Sequence, residues 1–144
     1  PICMIYINLA IRDGNAAMIF GAQEGDYMLI NMLLEYGANI NSADICGNTA
    51  LMHAARNNYD KVIRILLGKG AEINHQNVRG ETAISEAAFY GHVNIVELLL
   101  QYNADISLQD QNGRTALYRA EEREHQEIVD LLRGHMEALP AGHL

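Results

Sequence analysis

The chain has 144 residues, 49% apolar and 19% charged, with two prolines, two cysteines, no tryptophan and a formal charge of -8 at pH 7. One domain is the ordinary expectation at this length; the apolar fraction excludes a disordered chain, and so few cysteines and prolines exclude a disulfide scaffold or a collagen. Eighteen acids against ten bases disfavour a nucleic-acid or acidic-membrane partner.

No apolar run approaches the roughly 18 residues of a membrane span, and the opening PICMIYINLA lacks the basic start of a secretory signal. Cys3 and Cys46 are far apart, without a CxxC or a neighbouring histidine, so a reducing compartment is expected rather than a disulfide or a zinc site. A soluble intracellular protein, cytoplasmic or nuclear, is the expectation.

Three strings align without a gap, each beginning 33 residues after the last: DICGNTALMHAARNNYDKVIRILLGKGAEINHQ from Asp44, NVRGETAISEAAFYGHVNIVELLLQYNADISLQ from Asn77, and DQNGRTALYRAEEREHQEIVDLLRGHMEALPAG from Asp110. A weaker copy starts at Ile11, where Gly14, Ala22, Gly25 and LINMLLEYGANIN keep the register. The units are therefore 11–43, 44–76, 77–109 and 110–142. Three of the four segments carry a net charge of -3; residues 44–76 carry +1, with Arg56, Lys61, Arg64 and Lys69 against Asp44, Asp60 and Glu72.

Within a unit, Gly47, Gly80 and Gly113 sit where a tight turn needs positive φ, and Thr49, Thr82 and Thr115 follow as helix caps. Thr49 to Arg56 reads as a first helix and about Tyr59 to Leu67 as a second. Val62, Ile63, Ile65, Leu66 and Leu67 give the second helix an apolar face too wide for one helix pair to cover, so each unit must stack on a neighbour. Gly37, Gly70 and Asn103 end the second helices in the left-handed conformation. A turn-rich stretch then projects as a hairpin-like finger.

GNTALMHAA at 47–55, GETAISEAA at 80–88, GRTALYRA at 113–120 and the tails GANIN, GAEIN and NADIS at 37, 70 and 103 resemble the ankyrin repeat family, with coverage from 11 to about 136. The resemblance implies an all-α repeat solenoid of about four stacked units. One departure is uniform: alanine stands at 50, 83 and 116 where the family usually has proline, which should loosen the first turn without changing the fold. The first copy also lacks the threonine, with Ala16 in its place.

The ends differ from the middle. Glu121 and Arg133 replace the small or apolar residues Ala55, Ala88 and Leu67, Leu100 of the preceding units, so the last repeat reads as a C-terminal cap. Residues 1–10 read as the tail of a preceding repeat or an irregular N-terminal cap. The chain is expected to be monomeric or part of a longer one.

No catalytic, cofactor or metal site is expected. No two of His53, His75, His92, His125, His135 and His143 have the i, i+3 or i, i+4 spacing that aims two imidazoles at one metal. His92 and His125 share one repeat position and resemble the family's glycine-histidine pair that opens the second helix, a structural role. Ser85 beside Glu86, and Cys46 on a finger, have no evident base and orienting group.

Binding of a protein or peptide partner is the positive expectation, and the resemblance places it on the concave surface of fingers and first helices. The expected contact residues are Ile45, Cys46 and Asn48 with Arg56 and Asn57; Val78, Arg79 and Glu81 with Phe89 and Tyr90; and Gln111, Asn112 and Arg114 with Glu122 and Arg123. Phe89 and Tyr90 are the expected anchors, flanked by Arg56, Arg79 and Arg114. The competing reading of Phe89 turns it inward as filler between units. An extended or helical segment with acidic residues beside apolar anchors fits this surface. Two other classes stay open: a regulatory or targeting module of a larger enzyme or channel, and a microbial effector or inhibitor acting on a host protein.

Overall fold

A computed structural model describes residues 16–139. The reading of residues 1–10, the turn at Gly14 and the last residues of the fourth unit lie outside the described residues. Helix α1 covers residues 16–24. After it come α2 (Tyr27–Glu35), α3 (Ala50–Arg56), α4 (Asp60–Gly68), α5 (Ala83–Tyr90), α6 (Val93–Gln101), α7 (Ala116–Glu122) and α8 (Gln126–Ala138).

Helices of seven to nine residues are too short to persist alone in water. They persist here because they pack in two rows: α3, α5 and α7 form an inner row, α2, α4, α6 and α8 an outer row, and each inner helix from α3 on packs against the outer helix that follows it. The inner row is spaced by alanine. Ala54, Ala55, Ala87, Ala88 and Ala120 are fully buried, and their small side chains let neighbouring helices approach closely. The outer row supplies the larger apolar groups in the repeat phase: Leu29, Val62, Ile95 and Ile128; Ile30, Ile63, Val96 and Val129; and Leu33, Leu66, Leu99 and Leu132, all buried. The result is one continuous apolar stripe running through the stack.

Local chemistry fixes the helix ends. Thr49, Thr82 and Thr115 are the N-caps of the inner helices, and their hydroxyls accept from the backbone N–H of Met52, Ser85 and Tyr118. Ala50, Ala83 and Ala116 open those helices and are buried. The outer helices from α4 on start differently. Tyr59, His92 and His125 make no side-chain cap bond; instead the Nε2 of His92 donates to the Arg56 carbonyl (2.8 Å) and that of His125 to the Phe89 carbonyl (3.0 Å), each reaching back to the preceding unit. Each imidazole thus satisfies a carbonyl at the end of an inner helix that has no partner within that helix.

Gly37, Gly70 and Asn103 have φ of 88°, 86° and 64°, as the turn pattern requires. Asn58 and Glu124 also lie in the left-handed region, at the ends of α3 and α7, in phase with Gly25 and Gly91. At the C-terminal end, Glu121 and Arg133 are exposed and face each other at 3.6 Å, so a charged pair covers the position where earlier units pack alanine and leucine.

Candidate functional site

Each finger is built on one side chain that the glycine pattern does not reveal. Asp44 Oδ1 accepts from the N–H of Cys46 (3.0 Å) and Asn48 (2.9 Å). Asn77 Oδ1 does the same for Arg79 (3.0 Å) and Glu81 (2.9 Å), and Asp110 Oδ1 for Asn112 and Arg114 (both 2.9 Å). These three positions are 33 residues apart, and the local bond that suits Asp and Asn to turns recurs at each. The fingers are joined to one another: Val78 N–H donates to the Cys46 carbonyl (3.1 Å) and Gln111 N–H to the Arg79 carbonyl (2.8 Å). The approach is close enough that a Cβ on Gly80 would lie 2.9 Å from Asp110 Cα, so glycine is required there for space as well as for its φ of 80°.

Between the fingers and the inner helices lies a cleft of about 560 Å³ lined by Cys46, Asn48, Arg56, Asn77, Val78, Arg79, Glu81, Glu86, Phe89, Tyr90, Arg114 and Arg119. Its floor is polar and internally paired. Glu86, nearly fully buried, accepts from Arg56 Nε at 2.9 Å; Glu81 accepts from Arg119 Nη1 at 3.1 Å and from Asn77 Nδ2 at 2.9 Å; Asn77 Nδ2 also reaches Asn48 Oδ1 at 2.9 Å. On the C-terminal side, Arg114 Nε donates to Asp110 Oδ2 at 2.8 Å.

The two glutamates of the floor differ in their electrostatics. Burial pushes the Glu86 carboxyl above the ordinary value, and the charge and hydrogen bond of Arg56 offset this only in part. Burial acts on Glu81 in the same direction, but the Asn77 amide and the Arg119 guanidinium outweigh it and hold that carboxyl below the ordinary value. Among the described residues, Arg119 Nε is a buried side-chain atom with no acceptor.

Phe89 is half-buried, lines the cleft and also packs against side chains of the next unit. Its ring meets Tyr90 edge-on, with centroids 4.9 Å apart, and carries the guanidiniums of Arg119 at 4.3 Å and Arg123 at 4.9 Å. Among the expected contact residues, Arg56, Val78, Arg79, Phe89, Tyr90 and Arg114 come together at the cleft, and Arg123 joins them through Phe89. Ile45 stands apart on its finger, 97% exposed. Asn57 is also outside the cleft; its side chain donates to the His53 carbonyl at 2.8 Å and so closes the end of α3. Arg56 and Arg114, expected to flank the aromatic pair, lie at the cleft and are each paired with a carboxylate of the chain.

The residues the sequence reading left out are Asn77, Glu86 and Arg119. A signal for the last two existed: they occupy the repeat position of His53, in the middle of helices whose neighbouring positions are small or apolar. That position is buried in all three units, and the chain places an ionisable side chain there each time, with its partner nearby: Asp44 for His53 (2.8 Å), Arg56 for Glu86 and Glu81 for Arg119.

These features define a class: a stacked helix-pair solenoid with joined fingers and a polar cleft between fingers and inner helices. A family model described as ankyrin repeats, in three copies, matches residues 3–77 and again 69–139. The chain belongs to the ankyrin repeat family, whose members are generally protein–protein interaction modules. No curated protein matches the chain. None of the helices among the described residues is long and apolar enough to cross a membrane.

Proposed function

We propose that the protein is a non-catalytic interaction module that binds a segment of another protein in the cleft between its fingers and inner helices. The observation that carries this reading is the pair of half-buried Phe89 and exposed Tyr90 at the cleft, with guanidiniums over the Phe89 ring and apolar surface left to bury on contact. Aromatic residues beside arginine supply large contact area with few torsions to freeze, the composition of binding hot spots. The family makes this the expected kind of activity, and the polar floor supports it because its charges are spent on one another, not left as an acid and a base facing open space.

The test is affinity capture of partners from native lysate with the wild type and the Phe89→Ala/Tyr90→Ala variant, followed by titration of the captured protein. The variant should weaken binding by about 2 kcal/mol or more while still unfolding in one cooperative transition. A folded double variant with undiminished affinity refutes the placement of the site.

A further inference from the structure

We infer that the occupant of the cleft is an extended acidic segment, whose glutamate or aspartate side chains are held by Arg79 and Arg123 while a neighbouring apolar side chain packs on Val78 and Tyr90. This rests on the reading of the cleft as the binding site and goes further by naming which charges do the recognising.

The first support is a local inversion of charge. The chain carries -8 overall, yet the cleft is lined by Arg56, Arg79, Arg114 and Arg119 against Glu81 and Glu86, with Asp110 and Glu122 beside Arg114, so the excess positive charge rests on Arg79 and the adjoining Arg123. The second is how those arginines are committed. Arg56, Arg114 and Arg119 are tied to Glu86, Asp110 and Glu81, so their charge is largely spent. Arg79 and Arg123 are exposed and form no salt bridge among the described residues. Arg123 is also held over the Phe89 ring, which reduces the freedom it would lose on binding. A planar guanidinium suits a carboxylate because it can donate two parallel hydrogen bonds.

The same features argue against a polyanion. Glu81 and Glu86 lie in the cleft itself, and the third and fourth units are each net negative. A nucleic acid crossing the surface would meet like charge within a Debye length of about 10 Å on leaving the two arginines. A short segment needs only the two arginines and can end before the flanking acidic surface. Beside the cations, Val78 is 69% and Tyr90 48% exposed, and they supply the apolar contact.

The experiment titrates the 144-residue chain, labelled for amide NMR, with three fluorescein-labelled peptides: alternating glutamate and leucine, the same with glutamine for glutamate, and the same with phosphoserine for glutamate. The glutamate peptide should bind at least about tenfold more tightly than the glutamine peptide at low salt, with the gap closing as salt rises. Amide shifts should centre on Arg79, Phe89, Tyr90 and Arg123, and Arg79→Glu/Arg123→Glu should abolish the preference while the variant still unfolds in one cooperative transition and keeps its amide dispersion. Equal binding of the glutamate and glutamine peptides in the cleft overturns the acidic specificity while leaving the cleft intact as a site. A phosphoserine peptide bound more than about tenfold tighter than the glutamate one overturns it in favour of phosphate recognition. A preference that survives the double charge reversal, or shifts that fall outside the cleft, overturns the assignment of Arg79 and Arg123.

Discussion

Replacing Arg56 by alanine leaves Glu86 without its partner in a position where its side chain is only 4% exposed. Breaking a buried ion pair from one side typically costs about 3–5 kcal/mol. Two features of the site reduce that figure. The Arg56 side chain is 29% exposed, so part of the interaction is already screened, and the carboxylate can escape its burial by taking up a proton, since burial holds it above the ordinary value even with Arg56 present. A loss of about 2 kcal/mol at neutral pH is expected. The pH dependence follows in sign. A carboxyl whose folded pKa is raised binds its proton more tightly in the folded state, so stability falls as pH rises from the unfolded value, about 4.3, through the folded one. Removing Arg56 raises the folded value further, so the gap between variant and wild type should be small near that lower limit and widen towards neutrality. Urea unfolding followed by circular dichroism at matched pH values measures it. Glu86→Gln keeps the shape and removes the charge, leaving Arg56 partly in water; it should stay within about 1 kcal/mol of wild type, and Arg56→Ala in that background should cost little more. A gap for Arg56→Ala that is the same at acid and neutral pH, or that persists undiminished in the Glu86→Gln background, refutes charge burial as the cause.

Other consequences are separable. Leu99→Ala, at a fully buried position in the outer row, should lower unfolding free energy by about 2–5 kcal/mol, whereas Ile45→Ala should change it by less than about 0.5 kcal/mol; comparable losses would contradict the stacked core. Gly113→Ala has nothing within 4 Å of the new Cβ and meets only the strain of a φ of 75°, about 1–2 kcal/mol. Gly80→Ala also drives its Cβ into the Asp110 backbone and should cost about 1–3 kcal/mol more in the same denaturation assay. Burial alone would raise the Asp44 carboxyl, but the His53 hydrogen bond and backbone N–H donors hold it below the ordinary value. Its stabilisation is therefore present above about pH 4 and lost as pH falls through the folded value. Asp44→Asn should keep the finger turn, because Asn77 makes the same turn natively, while flattening the acid limb of the stability profile measured by chemical denaturation.

The periodic features of this protein are legible in its residues because each is imposed by local backbone geometry or by burial that every unit repeats. Glycine at 47, 80 and 113, threonine two residues on, and aliphatic pairs in the second helices each answer one demand, and only a few side chains can meet it. The exposed Glu121 and Arg133 are readable for the opposite reason, as polar residues at positions the other units bury. Glu124 is readable only through its phase with Gly25, Asn58 and Gly91, since nothing in a glutamate itself announces a φ of 60°.

The cleft was half legible. Phe89, Tyr90, Val78 and Arg79 could be placed because a repeat position becomes a spatial position once units stack. Which arginines remain available could not in full, because two of the three pairings join residues from different units: Arg56 of the second meets Glu86 of the third, and Arg119 of the fourth meets Glu81 of the third, whereas Arg114 pairs with Asp110 of its own unit. Sequence periodicity by itself determined the stack, since a wide apolar face repeated every 33 residues has no other means of burial. Only the tertiary structure decided how charge is distributed over the binding face, since a side chain's net charge at a surface depends on the neighbour that neutralises it.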